Sequence, residues 1–294
     1  MAYQFKVWVS HSSISDFLKC PRAYYLKNVY KNPKTGNKIQ IPSPALSLGA
    51  AVHEVIESLA VLKTEDRFKI PLTKKFDESW EKVSGKKGGF LDSTTENQYK
   101  KRGKDILEKL TNNPGPLAKP AVRIKPKDEN FDLPYFPITP EGDIILCGKI
   151  DWLEYVPEKK GVNIIDFKTS IDGRENTDSL QLPIYYLLAK NCQQYDILSV
   201  SYWYIEQNET PTEKELPNYE ESLNKILNIA RKIKLERQLD SMKCPNGKDG
   251  CRECVPYEKI LKGEGELVKT DLQNKKDIYI IPNTVIEVSE GEII

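Results

Sequence analysis

Two carboxylates and a lysine stand where core side chains would be expected. In "NIIDFKTS" (163–170), Val162, Ile164 and Ile165 read as a buried strand, and Asp166 and Lys168 follow directly. Strand side chains alternate faces, so Ile164, Asp166 and Lys168 point the same way. A buried charge is costly unless it is paired or bound to metal. Asp151, in "CGKIDWLEY" (147–155), is a second carboxylate on an apolar face, sharing it by alternation with Ile145, Cys147, Leu153 and Tyr155. The short "PEKK" (157–160) between the two segments makes them antiparallel, so the carboxylates converge. Two carboxylates beside a lysine suit a hard divalent cation; Mg²⁺ takes few carboxylates and keeps waters and substrate phosphate. The lysine can orient or deprotonate a water and stabilise charge on a phosphate. Alone, D-x-K also describes an ion pair at a strand end.

His53 and the pair Gln181 and Tyr185 extend this group. The chain has two histidines, His11 and His53. His53 lies one helical turn after Gly49, where the absence of a side chain lets a helix approach another backbone. Gln181 and Tyr185 stand at i and i+4 and share a helix face. Alone, the histidine reads as a packing residue, the tyrosine as core and the glutamine as rim.

These residues need elements to hold them. Residues 12–30 and 41–62 read as helices, the second with Leu48, Val52, Val55, Ile56, Leu59 and Leu62 at the 3.6-residue period. Residues 73–111 read as polar helix broken by "SGKKGG", and the Pro-rich stretch 114–140 as a connection. Strands are predicted over 142–156, 161–170, 196–206 and 277–288. Helices are predicted over 178–192, capped by Thr177, Asp178 or Ser179, and over 217–240. Strands alternating with helices imply one α/β domain over 1–294 with a central sheet. Within it, 63–140 reads as a partly helical insertion, 241–260 as a Cys-rich segment and 265–294 as a tail.

The 294 residues are 39% apolar and 30% charged, with four Trp and fifteen Tyr to fill a core. No apolar run approaches the roughly 20 residues that span a bilayer, and "MAYQFKVWVSHSS" lacks the basic start and apolar stretch of a signal peptide. A cytoplasmic location without membrane attachment is therefore expected. A net charge of +1 neither favours nor excludes nucleic acid, although "KKRGK" (100–104), "KPAVRIKPK" (119–127) and "KILNIARKIKLERQ" (225–238) are locally basic. Six cysteines in such a chain do not read as a secreted disulfide framework, so metal or redox use is the better reading for clustered ones.

In chain order the motifs are G-x3-H (Gly49 to His53), G-x2-D (Gly148 to Asp151), D-x-K (Asp166 to Lys168) and Q-x3-Y (Gln181 to Tyr185). This order resembles the RecB-like branch of the PD-(D/E)XK nuclease superfamily, over about residues 10 to 260. The resemblance implies a restriction-endonuclease-like α/β core with a central mixed sheet flanked by helices, and hydrolysis of DNA phosphodiester bonds with Mg²⁺ or Mn²⁺. It implies His53, Asp151, Asp166 and the Phe167 carbonyl as metal ligands. It implies Lys168 as the catalytic lysine, with Gln181 and Tyr185 supporting the active site near the substrate.

Four thiolates can hold either a [4Fe–4S] cluster or Zn²⁺. Cys20 in "SSISDFLKCPRAYYLK" with Cys244, Cys251 and Cys254 in "CPNGKDGCRECVPY" looks like the split of one N-terminal and three C-terminal cysteines in the iron–sulfur nucleases of this branch. Those include the CRISPR-adaptation nucleases and the helicase–nuclease subunits of recombinational repair. The spacing here is C-x6-C-x2-C rather than C-x2-C-x5-C, and Ile260 stands where a further cysteine would be expected. The expectation is [4Fe–4S], with Zn²⁺ as the alternative. Cys147 and Cys192 read as core residues. The implied activity is a single-stranded DNA exonuclease of repair, recombination or CRISPR adaptation. No P-loop, G-x4-G-K-[ST], is present, so helicase activity or an adaptation partner would come from another protein. The competing expectations are a non-catalytic DNA-binding subunit of a helicase–nuclease complex, using the fold and cluster as scaffold, and a zinc-bearing interaction protein.

Overall fold

The computed structural model describes residues 5–126, 128, 131, 133–170 and 178–282. The elements in chain order are β1 (Val7–Val9), α1 (His11–Lys19), α2 (Pro21–Tyr24), β2 (Lys38–Gln40), α3 (Pro44–Leu59), α4 (Leu72–Val83) and α5 (Ser93–Asn112). There follow β3 (Tyr135–Pro137), β4 (Ile144–Cys147), β5 (Trp152–Val156), β6 (Gly161–Lys168), α6 (Gln181–Cys192), β7 (Asp196–Tyr204) and β8 (Thr212–Lys214). The chain continues through α7 (Tyr219–Gln238), α8 (Val255–Leu261), β9 (Glu266–Asp271) and β10 (Lys276–Ile280). Side-chain caps set several helix starts: Ser10 and Ser13 form a reciprocal box on α1, and Ser43, Asp92 and Asn218 cap α3, α5 and α7.

The central sheet has the order β5-β6-β7-β8. β5 is antiparallel to β6, β6 is parallel to β7 and β7 is antiparallel to β8, so the sheet is mixed. The parallel pair is joined through α6, as a parallel connection requires a crossover. β6 is buried on both faces. Val162 and Ile164 join one apolar cluster with α6 and α7, while Ile165 and Phe167 join a second with Trp152, Trp203 and helices α3 to α5. Two smaller sheets, β1-β4-β3 and β2-β10-β9, complete the described residues. This is the mixed α/β architecture, sheet between helices, that the motif order implies. Among the described residues no helix is long and apolar enough to cross a membrane.

Several boundaries differ from the periodicity. The helix expected over 12–30 breaks at Cys20, whose extended backbone (φ −164°, ψ 115°) ends α1 and caps α2 with its sulfur. The helix expected over 41–62 is α3, begun by Ser43 and Pro44. The strand expected over 142–156 is two strands in different sheets, separated at 148–151. Ile145 and Cys147 therefore do not share a strand with Asp151. A Cβ on Gly148 would lie 3.1 Å from Leu188 Cδ1, so this turn passes close to α6. α6 starts at Gln181, and its boundary residue Leu180 makes no side-chain cap. Of the expected caps, Ser179 accepts from Gln181 N at 3.3 Å, and Thr177 lies outside the described residues. The connection at 114–140 contains β3 and a 3₁₀ turn (Gly115–Ala118). The last strand is β10, paired with an unforeseen β9; positions 283–288 of the expected strand lie outside the described residues.

Arg67 ties the helical layer to the sheet. It is 3% exposed and donates to the carbonyls of Leu59 (3.1 Å), Leu117 (2.7 Å) and Lys119 (2.5 Å). Its guanidinium lies 5.0 Å from the Trp152 ring centroid. Arg67→Ala would leave three carbonyls without their donor and is expected to destabilise the fold by about 3 kcal/mol or more. Arg67→Lys should recover only part, since an ammonium lacks the planar fork. Denaturant unfolding of both variants measures this; wild-type stability in the alanine variant would refute it.

Candidate metal and phosphodiester site

β6 carries Asp166 into the packed interior at 1% exposure. Its face is shared with Ile164, which belongs to the cluster beneath α6. One residue beyond the Trp152–Ile165 pair, Asp151 immediately precedes β5. Its Oδ2 accepts from Phe167 N at 3.0 Å, so the strand that carries Asp166 also fixes the second carboxylate. His53, on α3, places Nδ1 3.3 Å from that same Asp151 oxygen.

Gln181, the first residue of α6, joins the two charges of D-x-K. Its Nε2 donates to Asp166 Oδ1 at 2.7 Å, and its Oε1 accepts from Lys168 Nζ at 2.5 Å. The same Nε2 is 3.3 Å from Tyr185 OH, one helical turn on. Lys168 Nζ lies 2.9 Å from Asp166 Oδ2 as an ion pair. That contact lacks hydrogen-bond alignment: Asp166 Oδ2 and His53 Nε2 are both buried without a hydrogen-bond partner.

The electrostatics follow from burial and these contacts. Burial drives the Asp166 pKa up to about 6; Lys168 pulls it down and the Asp151 charge adds to the rise. Burial would also raise Asp151, but His53 and the Phe167 N–H overcome it and hold this carboxyl below its ordinary value. Burial disfavours the His53 imidazolium, yet Asp151, with smaller help from Asp166 and Glu57, raises its pKa to about 8. Burial opposes the Lys168 charge as well, and Asp166 and Asp151 more than offset it, so its pKa is raised. Burial pushes the Tyr185 phenol well above its usual value.

The structure thus brings His53, Asp151, Asp166, Lys168, Gln181 and Tyr185 together. Phe167 contributes its N–H, and its ring is buried on the opposite face of the sheet. Asp166 Oδ2 and His53 Nε2, each buried without a hydrogen-bond partner, form with the Asp151 carboxylate a donor set that fits a hard divalent cation once the imidazole is neutral. These donors are not drawn into a tight preformed cage. Among the described residues, only the four thiols form a group of three or more metal-ligating side chains whose ligand atoms all lie within 4.8 Å.

Those thiols belong to Cys20, between α1 and α2, and to Cys244, Cys251 and Cys254, ahead of α8. No disulfide joins them. Burial raises Cys20 strongly and pushes Cys254 up to about 11. Burial would raise Cys251 too, but the N–H groups of Cys254 and Glu253 hold its thiol below the usual value. Arg22 bonds Glu258 at 2.5 Å, and Lys27 bonds Asp16 at 2.7 Å, so ion pairs flank the group on both of its sequence segments. The donor chemistry fits either Zn²⁺ or an iron–sulfur cluster.

Two features were missed from sequence. Tyr202 and Tyr204 of β7 lie beside Asp166 and Lys168 in the parallel register. Their alternation with buried Trp203 in "SVSYWYIE" carried the signal. Arg102 bonds both Glu206 oxygens and the Thr169 carbonyl just past Lys168, a contact that sequence spacing does not announce. Several residues of the basic stretches pair with carboxylates: Lys100 and Lys104 with Asp77, Lys119 with Glu154, Lys234 with Asp143. Lys127 lies outside the described residues.

The family model of the PD-(D/E)XK nuclease superfamily matches residues 8–260. A comparison with curated proteins finds no match.

A metal on all four thiols would join position 20 to positions more than 220 residues away. Closing a loop of that length stabilises by about 5 kcal/mol in the cross-link entropy model. Cys20→Ala is therefore expected to lose bound metal and melt at a markedly lower temperature. Elemental analysis and thermal melts of the purified proteins test this. Unchanged metal content and melting temperature would remove the clamp.

Proposed function

The chain belongs to the PD-(D/E)XK nuclease superfamily across residues 8–260, and from that premise we propose that it is a divalent-metal-dependent deoxyribonuclease of the RecB-like branch, acting on single-stranded DNA ends. Superfamily membership supports metal-dependent cleavage of nucleic acid. The finer reading rests on one observation: the buried Asp166 carboxylate is bridged by Gln181 to the Lys168 ammonium, with Asp151 and His53 beside it. On this reading Asp151, Asp166, His53 and the Phe167 carbonyl hold Mg²⁺ or Mn²⁺. When bound, that ion supplies Lewis-acid polarisation of the scissile phosphate.

The side chains have separable tasks. Lys168 is protonated at neutral pH, since Asp166 and Asp151 raise its pKa against burial. Its role is then to stabilise charge developing on the phosphate and to orient the attacking water by donation, rather than to accept a proton. Gln181 spends both ends of its amide on Asp166 and Lys168, which fixes the carboxylate rotamer and the ammonium position together. Tyr185 supports that amide. The four cysteines hold a [4Fe–4S] cluster, or Zn²⁺, as a structural clamp. The intact carboxylate–lysine set favours catalysis over the alternative of a non-catalytic DNA-binding subunit. The split of the cysteines supports work in repair, recombination or CRISPR adaptation beside a helicase or adaptation partner.

With Mn²⁺, wild-type protein is expected to degrade end-labelled linear single-stranded DNA and spare circular DNA. Lys168→Ala should cut at least about a hundredfold more slowly while still binding the strand. Absence of wild-type cleavage, or full activity in Lys168→Ala, would sink this reading.

Metal affinity should also depend on pH. A cation needs neutral imidazole and ionised carboxylate, so it competes with the proton on His53 (pKa about 8) and, at lower pH, with that on Asp166 (about 6). Mn²⁺ affinity is therefore expected to rise from pH 6 to pH 8, with proton release on binding near neutrality. Calorimetric titration in buffers of different ionisation enthalpy measures both. Affinity independent of pH across that range would contradict the ligand set.

A further inference from the structure

Lys168 has a third contact that the motifs do not include. Its Nζ lies 5.1 Å from the ring centroid of Tyr202. Tyr202 sits on β7 directly beside Asp166, and Tyr204 beside Lys168, in the parallel β6–β7 register. Side chains at 200, 202 and 204 share the face of Val162 and Ile164. Val200 on that face is plain core. Tyr202 occupies the position where the face changes from apolar packing to the Asp166–Lys168 pair.

We propose that Tyr202 is a positioning residue for Lys168, its ring face acting as one wall of the seat in which the ammonium is held beside Asp166 and Gln181. The ammonium has three N–H donors and no acceptor. One donor goes to Gln181 Oε1, and the Asp166 carboxylate flanks the ammonium on a second side as an ion pair. A water in the remaining direction would be exchangeable and would leave the long lysine stem free to swing. An aromatic face attracts the cation through its quadrupole, excludes that water and cannot take the proton. Burial makes the contact stronger than at a surface: Tyr202 is 8% exposed and the Lys168 side chain 15%. An aliphatic side chain of similar size would fill the space without this attraction. The catalytic part of this inference rests on the reading of Lys168 as the lysine of a DNA-cleaving site; the contact itself does not.

The test replaces Tyr202 in the full chain by Phe, Leu and 4-fluoro-, 3,5-difluoro- and 3,4,5-trifluorophenylalanine, which drain the ring face stepwise at nearly constant shape. With Mn²⁺ and a single-stranded oligonucleotide, the Phe variant is expected to stay within about twofold of wild type. The Leu variant should lose about tenfold in kcat with little change in KM, the scale of a desolvated cation–π contact. The fluorinated series should fall progressively in kcat at constant melting temperature, which a merely structural ring would not do. A readout without turnover is the Lys168 Hε resonance in metal-free protein: shifted upfield by the ring current in wild type and Phe, and restored in Leu. Should the Leu variant not fold, the fluorinated series decides alone. A flat series, or an unshifted Hε resonance in wild type, overturns the proposal. If Lys168→Ala is inactive while the series is flat, only the positioning role fails. If the resonance is shifted but wild type does not cleave DNA, the contact stands and the nuclease reading fails.

Discussion

A carboxylate at 1% exposure in a strand packed on both faces is the constraint around which the rest of the molecule is arranged. An isolated charge there would cost more than the stability margin of a typical domain. Asp166 is held by an ammonium two residues on and by an amide from the start of α6. The helix can deliver that amide only because the chain crosses over from β6 to β7 and lays α6 against the same face. The parallel register then places Tyr202 and Tyr204 beside the charged pair. The β5–β6 turn has its counterpart at the other end: it fixes Asp151 opposite Asp166, and the Phe167 N–H locks it there. Crossover, hairpin and helix start are separate local structures that meet at one buried oxygen pair.

A similar economy holds the chain ends. β10 lies between β2 and β9, joining residues near 38 to residues near 277. Asp277, fully buried, accepts from the side chains of Asn32, Thr35 and Asn37, so a carboxylate again organises a loop that has no regular structure of its own. Cys20 and the 244–254 cysteines lie in this same region, packed with Leu26, Ile39, Tyr257 and Ile281. The four thiols therefore rest on an apolar cluster that already joins the two segments. A metal there would strengthen a junction the backbone has formed, in contrast to small metal domains that fold only when loaded.

How far the molecule was legible in sequence divides along the range of the forces involved. Alternation in β6 and the i, i+4 pairing of Gln181 and Tyr185 are local, and both identified residues that meet in space. The break at Cys20 was not legible, because the apolar residues on either side keep a helical rhythm; the extended backbone is accounted for by the sulfur, which caps α2 and faces its distant partners. The stretch 142–156 reads as one strand because Ile150 keeps an apolar residue inside "GKID", the corner between "IILC" and Trp152 where the chain leaves one sheet for another. Nothing in a strand's periodicity reports which sheet it joins. Arg67, Arg102 and Tyr202 escaped for a related reason: each acts on an element more than 30 residues away, or across a register that only the assembled sheet sets.

The site has one further property that its residues determine jointly. Asp151 and Asp166 bring two potential negative charges into the interior; His53 and Lys168 bring two positive ones. With the His53 pKa raised to about 8 and that of Asp166 to about 6, the group is close to charge balance near neutral pH without any cation. This accounts for carboxylates that are buried yet not caged. On the proposed reading, a divalent ion that displaces the His53 proton leaves the site with a net positive charge. A phosphodiester, carrying one negative charge, would then restore the balance. On that reading the imidazolium, held by Asp151, takes the place of the cation, and the carboxylate that stabilises the imidazolium is the one a metal would recruit.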